Sequence, residues 1–320
     1  MARRVIITIL SVNLTLLYGA SMAFGQDFPN KPIRIVTSEA GGGNDFTARL
    51  IAQGLTASWG QQVVVDNRPS GVIPGYTVSK ATPDGYTLLV SSGILWLIPF
   101  LQNNVPFDPV KDFLPITLTN VAPNILVVHP TLAETSVKEL IDYAKSRPGE
   151  LNYASARSGS SAHLSAELFK AMAGVNIVRI SYKGTGPALN DLIGGHVQLA
   201  FFPVAAVVAH VKSGRLKALA VTSAEPSALF PGLPTVAATV PGYESVTITG
   251  IFAPAKTPVV RINQLNQEIV RFLTKTDTKE RFLAVGVEPV GSSPQELAAR
   301  IKSEMAKMGK VIKDAGIRAD

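Results

Sequence analysis

The chain has no cysteine in 320 residues. That excludes disulfide staples, thiolate metal sites, thiol nucleophiles and a lipid-modified cysteine, so stability must come from the size of the core. Charge is also scarce, at 17% of residues against 46% hydrophobic, which excludes a disordered tail and fits a compact globular protein. Histidine occurs only at 129, 163, 196 and 210. No two of these are spaced to share a helical face, which argues against a metal site. The Walker, dinucleotide and nucleophile-elbow patterns are all absent, so nucleotide binding and serine hydrolysis have no sequence support.

Long apolar runs are missing too. The longest, Val5–Leu17, is shorter than the ~20 residues that a spanning helix needs. It follows Arg3 and Arg4 and precedes the small residues Ala23 and Gly25, which predicts a secretory signal over residues 1–25, cleaved before Gln26. Without Arg3 and Arg4 the formal charge falls from +7 to +5. The remaining basic residues form no stripe of the kind that binds nucleic acid. The expected compartment is the periplasm.

What is present is an alternation of strand and helix. "KPIRIVTS" and "YTLLVSS" read as strands around a helix predicted from about Asp45 to Ser58, and a short helical piece is expected near Val78–Ala81. After "NILVVHP" the alternation restarts. Ser136 and Glu139 predict a capping box, and "LNYAS", "NIVRIS", "HVQLAFF" and "LKALAVTS" predict strands. "TITGIFAPA" reads as a strand returning to the first unit, and Ser293, Pro294 and Glu296 open a last helix. The expected architecture is α/β with two lobes, each a mostly parallel sheet flanked by helices. Residues 27–128 and 250–320 form lobe 1 and residues 129–249 form lobe 2, with a cleft between them.

Two strand-to-helix loops stand out. Ser38–Asp45 holds Gly41, Gly42, Gly43 and Asn44, and a glycine turn at a helix start bares N–H groups that suit an anion. The competing reading is a plain turn capped by Asp45. "SARSGSSAH", with Ser155, Arg157, Ser158, Gly159, Ser160, Ser161 and His163, occupies the matching place in lobe 2. Two such loops facing one cleft favour the anion reading.

These residues resemble a known family. "PIRIVTSEAGGGND", "VVVDNRP", "PDGYTLL", "LNYAS", "GSSAHLSAELF" and "YKGTGPAL" together are similar to the Bug family, the TctC-like solute-binding proteins of tripartite tricarboxylate transporters. The resemblance covers the chain beyond the predicted signal. It implies a type II periplasmic binding fold, monomeric, that closes on a small carboxylate without cofactor or metal and hands it to transporter subunits or to a sensor kinase; a periplasmic enzyme acting on an organic acid is the less favoured alternative. It places the ligand carboxylate on the two loops, with Ser92, Tyr182, Lys183 and Gly184 nearby. The chain departs from the family pattern at Thr37–Ala40, at Arg157, and at Phe202 and Pro203, where an acid is usual. Loss of that acid disfavours amino-acid ligands and makes Phe202, with Trp96 and Phe201, a candidate apolar wall; the competing reading is that all three are ordinary core residues. Glu39 and Arg157 are expected to oppose each other as a latch, or Arg157 to hold a second carboxylate, or both to point into solvent.

Overall fold

The computed structural model describes residues 28–69 and 72–318; the predicted signal segment lies outside them. Three β-branched strands, β1 (Ile33–Thr37), β2 (Val63–Asn67) and β3 (Thr87–Ser92), pair in parallel in the order β2-β1-β3. Helix α1 (Gly43–Trp59) joins the first two, and α2 (Val72–Ser79) the second and third. Helix α3 (Ile94–Leu101) follows. It is apolar on every side and contains Pro99, so it offers no amphipathic stripe and was not foreseen.

The strand β4 (Phe113–Val128) then runs through both lobes. From Phe113 to Pro123 it pairs antiparallel with β9 (Val246–Pro254), which in turn pairs with β3. From Asn124 to Val128 its partners are β7 (Leu199–Pro203) and β8 (Lys217–Val221), both antiparallel. β5 (Asn152–Ser155) pairs in parallel with β7 and with β6 (Val178–Ser181). Each lobe is therefore a sheet of mostly like-directed strands, with β9 running against them in lobe 1 and β4 in lobe 2. Helices α4 (Val137–Ser146), α5 (Ser161–Ala173), α6 (Thr185–Ile193) and α7 (Val204–Lys212) flank lobe 2. Lobe 1 is completed by α8 (Val259–Leu273), α9 (Thr276–Ala284) and the short β10 (Glu288–Pro289), paired to β4.

The crossing between lobes is polar and buried. Asn124 N–H donates to Thr222 Oγ1 at 2.8 Å, and Thr222 N–H returns to the Asn124 carbonyl at 3.0 Å. Asn124 Nδ2 donates to Ser165 Oγ at 3.0 Å, which lies 2.8 Å from Ser245 Oγ. Tyr243 OH donates to the Ser165 carbonyl at 3.0 Å. A fully satisfied network of this kind fixes one geometry, because any member left alone would carry an uncompensated desolvation cost.

The last helix, α10 (Pro294–Asp314), has the complete capping box expected at Ser293 and Glu296. The box expected at Ser136 is only half made. Ser136 Oγ accepts from Glu139 N–H at 3.2 Å, but the Glu139 carboxylate turns to the N–H and hydroxyl of Thr135, at 2.7 and 3.0 Å. Helix α10 lies against α3, β4 and α5, so Ile301, Met308, Val311 and Ile312 join a core that continues from lobe 1 into lobe 2. Its close approach to α3 needs Gly309, where an added Cβ would stand 2.7 Å from the Phe100 ring. Gly309→Val should destabilise the fold by about 1–3 kcal/mol, measured as a lower denaturation midpoint with unchanged slope; a midpoint equal to wild type would show that this contact is not tight.

Candidate ligand cleft

In lobe 1 the glycine turn is exposed, and a Cβ at Gly41 or Gly43 would meet nothing within 4 Å. The first N–H groups of α1 have no intrahelical acceptor. One loop donor is already used: Gly41 N–H donates to Asp45 Oδ2 at 2.8 Å, and Arg49 Nε donates to the same oxygen at 3.0 Å. Asn67 Nδ2 donates to Asp45 Oδ1 at 2.8 Å and also to the Ser38 carbonyl at 2.8 Å. Burial would raise the Asp45 pKa, but the hydrogen bonds from Arg49, Gly41 and Asn67 outweigh it and hold the carboxyl below its ordinary value. Asp45, expected among the ligand residues, thus spends both oxygens holding the loop. Asn44 Nδ2 lies 3.5 Å from Ser38 Oγ and 3.4 Å from Ser92 Oγ, linking the turn to the end of β3.

In lobe 2 the serine loop is built over a guanidinium that sequence reasoning missed. Arg179, on β6, donates from Nε to Ser155 Oγ at 2.8 Å, from Nη1 to Ser158 Oγ at 3.3 Å, and from Nη2 to the Ala156 carbonyl at 3.1 Å and Ser181 Oγ at 3.2 Å. All four partners are neutral. No carboxylate lies within ion-pair distance of Arg179 among the described residues. Its only sequence signal was a charge inside the strand "NIVRIS", which pairs beside the loop-bearing strand.

Ser155 is fully buried and serves Arg179 rather than the cleft surface. Gly159 N–H donates to His163 Nδ1 at 3.2 Å, and Ser160 Oγ caps α5 by accepting from His163 N–H at 3.4 Å. His163 is buried, with Nδ1 as an acceptor, which holds the loop in shape. The φ of +76° at Gly159 favours glycine. An added Cβ there would also stand 3.1 Å from Leu101 of α3, so the two lobes already touch at this point.

Between the lobes lies a cavity of about 180 Å³, lined by Ser92, Gly93 and α3 from lobe 1, Gly159, Ser161 and Leu164 from lobe 2, the Ser245–Thr247 crossing, and Glu304 and Met308 of α10. Of the expected site residues, Ser92, Gly159 and Ser161 line this cavity; Ser38 and Asn44 adjoin it through Ser92. Gly41, Gly42 and Gly43 lie exposed on lobe 1, and Ser158 and Ser160 are half-buried in lobe 2. Tyr182 is turned away: its hydroxyl donates to Asp191 Oδ2 at 2.7 Å, and burial together with that contact pushes its pKa up to about 12. Gly184 caps α6, and Lys183 is exposed.

Phe202 corrects an expectation outright. It has no exposed surface and packs with Ile125, Ala154 and Leu192, because β7 is covered by apolar layers on both faces. Phe201 and Trp96 are likewise core residues, so the apolar wall expected from these three is absent. Arg157 is exposed and forms no ion pair with Glu39. Glu304 was also missed, although its position is informative: it stands on the apolar stripe of α10 with Ile301, Met308 and Ile312.

With this geometry in view, residues 47–317 match the model of the tripartite tricarboxylate transporter family receptor, TctC. The chain belongs to the TctC family. Among curated TctC-like relatives, the Protein BugT of Bordetella pertussis is 36% identical over 307 residues, covering 93% of this chain and 94% of that protein. A solved structure from R. palustris, with adipate, is 38% identical with a TM-score of 0.74, covering 91% of this chain and 99% of that one. MatC from Rhodopseudomonas palustris, with bound malate, is 28% identical with a TM-score of 0.69, covering 89% and 100%. The two-lobed fold of this TctC chain is thus that of the periplasmic solute-binding proteins. No helix among the described residues is long and apolar enough to cross a membrane.

Because the folded pKa of Asp45 lies below its unfolded value, its contribution to stability is full above about pH 4 and lost as pH falls through the folded pKa. Asp45→Asn should therefore destabilise the protein by about 1–3 kcal/mol at pH 7, with the difference shrinking in denaturation curves taken below pH 4. An equal difference at both pH values would contradict this account.

Proposed function

We propose that this chain captures a small organic carboxylate in the inter-lobe cleft, without catalysing its conversion, and delivers it in the periplasm to the membrane subunits of a tripartite tricarboxylate-type transporter. The observation that carries this reading is the inter-lobe cavity, which meets the serine loop at Gly159 and Ser161 and is joined to the glycine turn through Ser92 and Asn44; the serine loop lies over an arginine with no acidic partner among the described residues. Family membership supports it, as do the relatives solved with adipate and malate.

On this reading Ser38, Gly42, Gly43, Asn44 and Ser92 offer donors from lobe 1. Ser158, Gly159, Ser160 and Ser161 offer them from lobe 2. Arg179 acts through the serine loop, polarising its hydroxyls and supplying positive potential where a carboxylate would settle. Hydrogen bonds to a charged group contribute about 1.5–3 kcal/mol each. Four or five of them reach the roughly −8 kcal/mol of micromolar affinity after ordering costs, so the mechanism needs no metal.

Titration calorimetry against a panel of mono- and dicarboxylates tests the reading, with the ligand recovered afterwards and checked by mass spectrometry. Gly42→Val should weaken binding while leaving the unliganded thermal midpoint unchanged, since a Cβ there meets only the Glu39 carbonyl oxygen at 3.6 Å. Arg179→Gln should weaken it roughly ten- to hundredfold. Ser160→Ala is a poorer reporter, because losing the α5 cap alone costs about 0.5–2 kcal/mol of stability. Wild-type affinity in both of the first two variants, or a chemically altered ligand, would sink the proposal.

A further inference from the structure

The inter-lobe cavity is lined by one ionisable side chain among the described residues, Glu304. It reaches the cavity from α10, a different element from either donor loop. One oxygen, Oε2, accepts from Trp96 Nε1 at 3.1 Å. The other lies near Gly93, 3.8 Å from where a Cβ on that residue would stand. Two cations flank Glu304 on its own helix, and both are engaged elsewhere. Arg300 Nη2 pairs with Glu244 Oε1, while Lys307 Nζ donates to the Glu244 carbonyl at 3.1 Å and stands 3.7 Å from Glu244 Oε2. No ion pair joins any described residue to Glu304.

A half-buried carboxyl facing a cavity without a cation has two ways to avoid an unpaired charge. It can meet a donor from the ligand, or it can hold a proton. The surroundings favour the proton. Burial raises the Glu304 pKa to about 7, against the downward pull of the Trp96 hydrogen bond and of Arg300 and Lys307, and with an upward push from Glu244. These are the groups that face Glu304 from α3, from α10 itself and from the crossing segment before β9.

Resting on the proposed carboxylate-binding role, we infer that Glu304 reads a second acid group on the ligand: protonated, it donates a hydrogen bond to the second carboxylate of a dicarboxylate, which therefore binds with uptake of one proton from solvent. Two ionised carboxylates cannot stand side by side in such a space, so one proton is shared between them. A monocarboxylate places no second charge beside Glu304 and draws no such proton. Selection between the two classes then depends on pH.

The test measures affinity for adipate and hexanoate, acids of equal carbon number, at pH 6.5 and pH 8. For the wild type, adipate should bind about tenfold more weakly at pH 8, because above the free pKa each pH unit costs a factor of ten when one proton is taken up. Hexanoate should change by less than about threefold. Calorimetry of adipate at pH 8 in buffers of different ionisation heat should show proton uptake approaching one. In Glu304→Gln, a near-isosteric variant whose folding is checked by its thermal midpoint, the adipate dependence and the proton uptake should vanish. Trp96→Phe removes a donor that favours the ionised form, so it should move the decline to higher pH.

Equal adipate affinity at both pH values in the wild type would overturn the inference, as would persistence of the slope in Glu304→Gln or the same slope for hexanoate. In those cases carboxylate binding itself still stands. If the wild type bound neither acid, nor any other carboxylate, at either pH, the binding reading would fall and this inference with it.

Discussion

One strand holds the molecule together as a two-lobed object. β4 gives its first half to a ladder with β9 and its second half to β7 and β8, so the two sheets are joined through it. At the change of partners Asn124 and Thr222 exchange backbone and side-chain hydrogen bonds, and Ser165, Ser245 and Tyr243 complete the satisfaction of that buried corner. The position of each loop relative to the other follows from this. The end of β3 at Ser92 and the serine loop after β5 meet at one cavity because their sheets are two continuations of one strand, and strand ends of like direction gather on one side of a sheet.

The loops themselves are stiffened from within. Asp45 and Asn67 hold one; His163 and Arg179 hold the other. Donors fixed before a ligand arrives lose little entropy when it binds, which is how short polar loops reach useful affinity without a metal. The charge arrangement is also asymmetric. Asp45 in the glycine loop is paired with Arg49, whereas the guanidinium under the serine loop meets neutral acceptors alone among the described residues. The charge of Arg179 is therefore left without a counter-charge in ion-pair range among the described residues.

Local patterning made much of this legible. β-branched content located β1 and the alternation of strand and helix located β3, β5 and β8, the glycine and serine loops were found where strand gives way to helix, and the α10 cap was readable from Ser293, Pro294 and Glu296. What escaped had a physical reason. α3 has no polar face and so no period; β4 is interrupted by Pro115 and Pro123, which it tolerates beside a register shift and at the change of partners. Arg179 and Glu304 act across strands or between helices, and a charge within an apolar pattern is the only trace such contacts leave in one dimension. Phe202 was misassigned because substitution of an acid by an aromatic says nothing about which way the side chain faces; in β7 it faces the core.

Helix α10 lies across both lobes, tied to the crossing segment at Glu244 and fitted to α3 at Gly309. A hinge spanned in this way cannot swing freely. Any widening of the cleft must slide the apolar side of α10, Met308 and Ile312 included, over the lobe 2 core, and the free energy needed grows with the apolar area laid bare. The helix thereby acts as a limiter on angular travel, and it couples the terminal segment of the chain mechanically to the width of the ligand space.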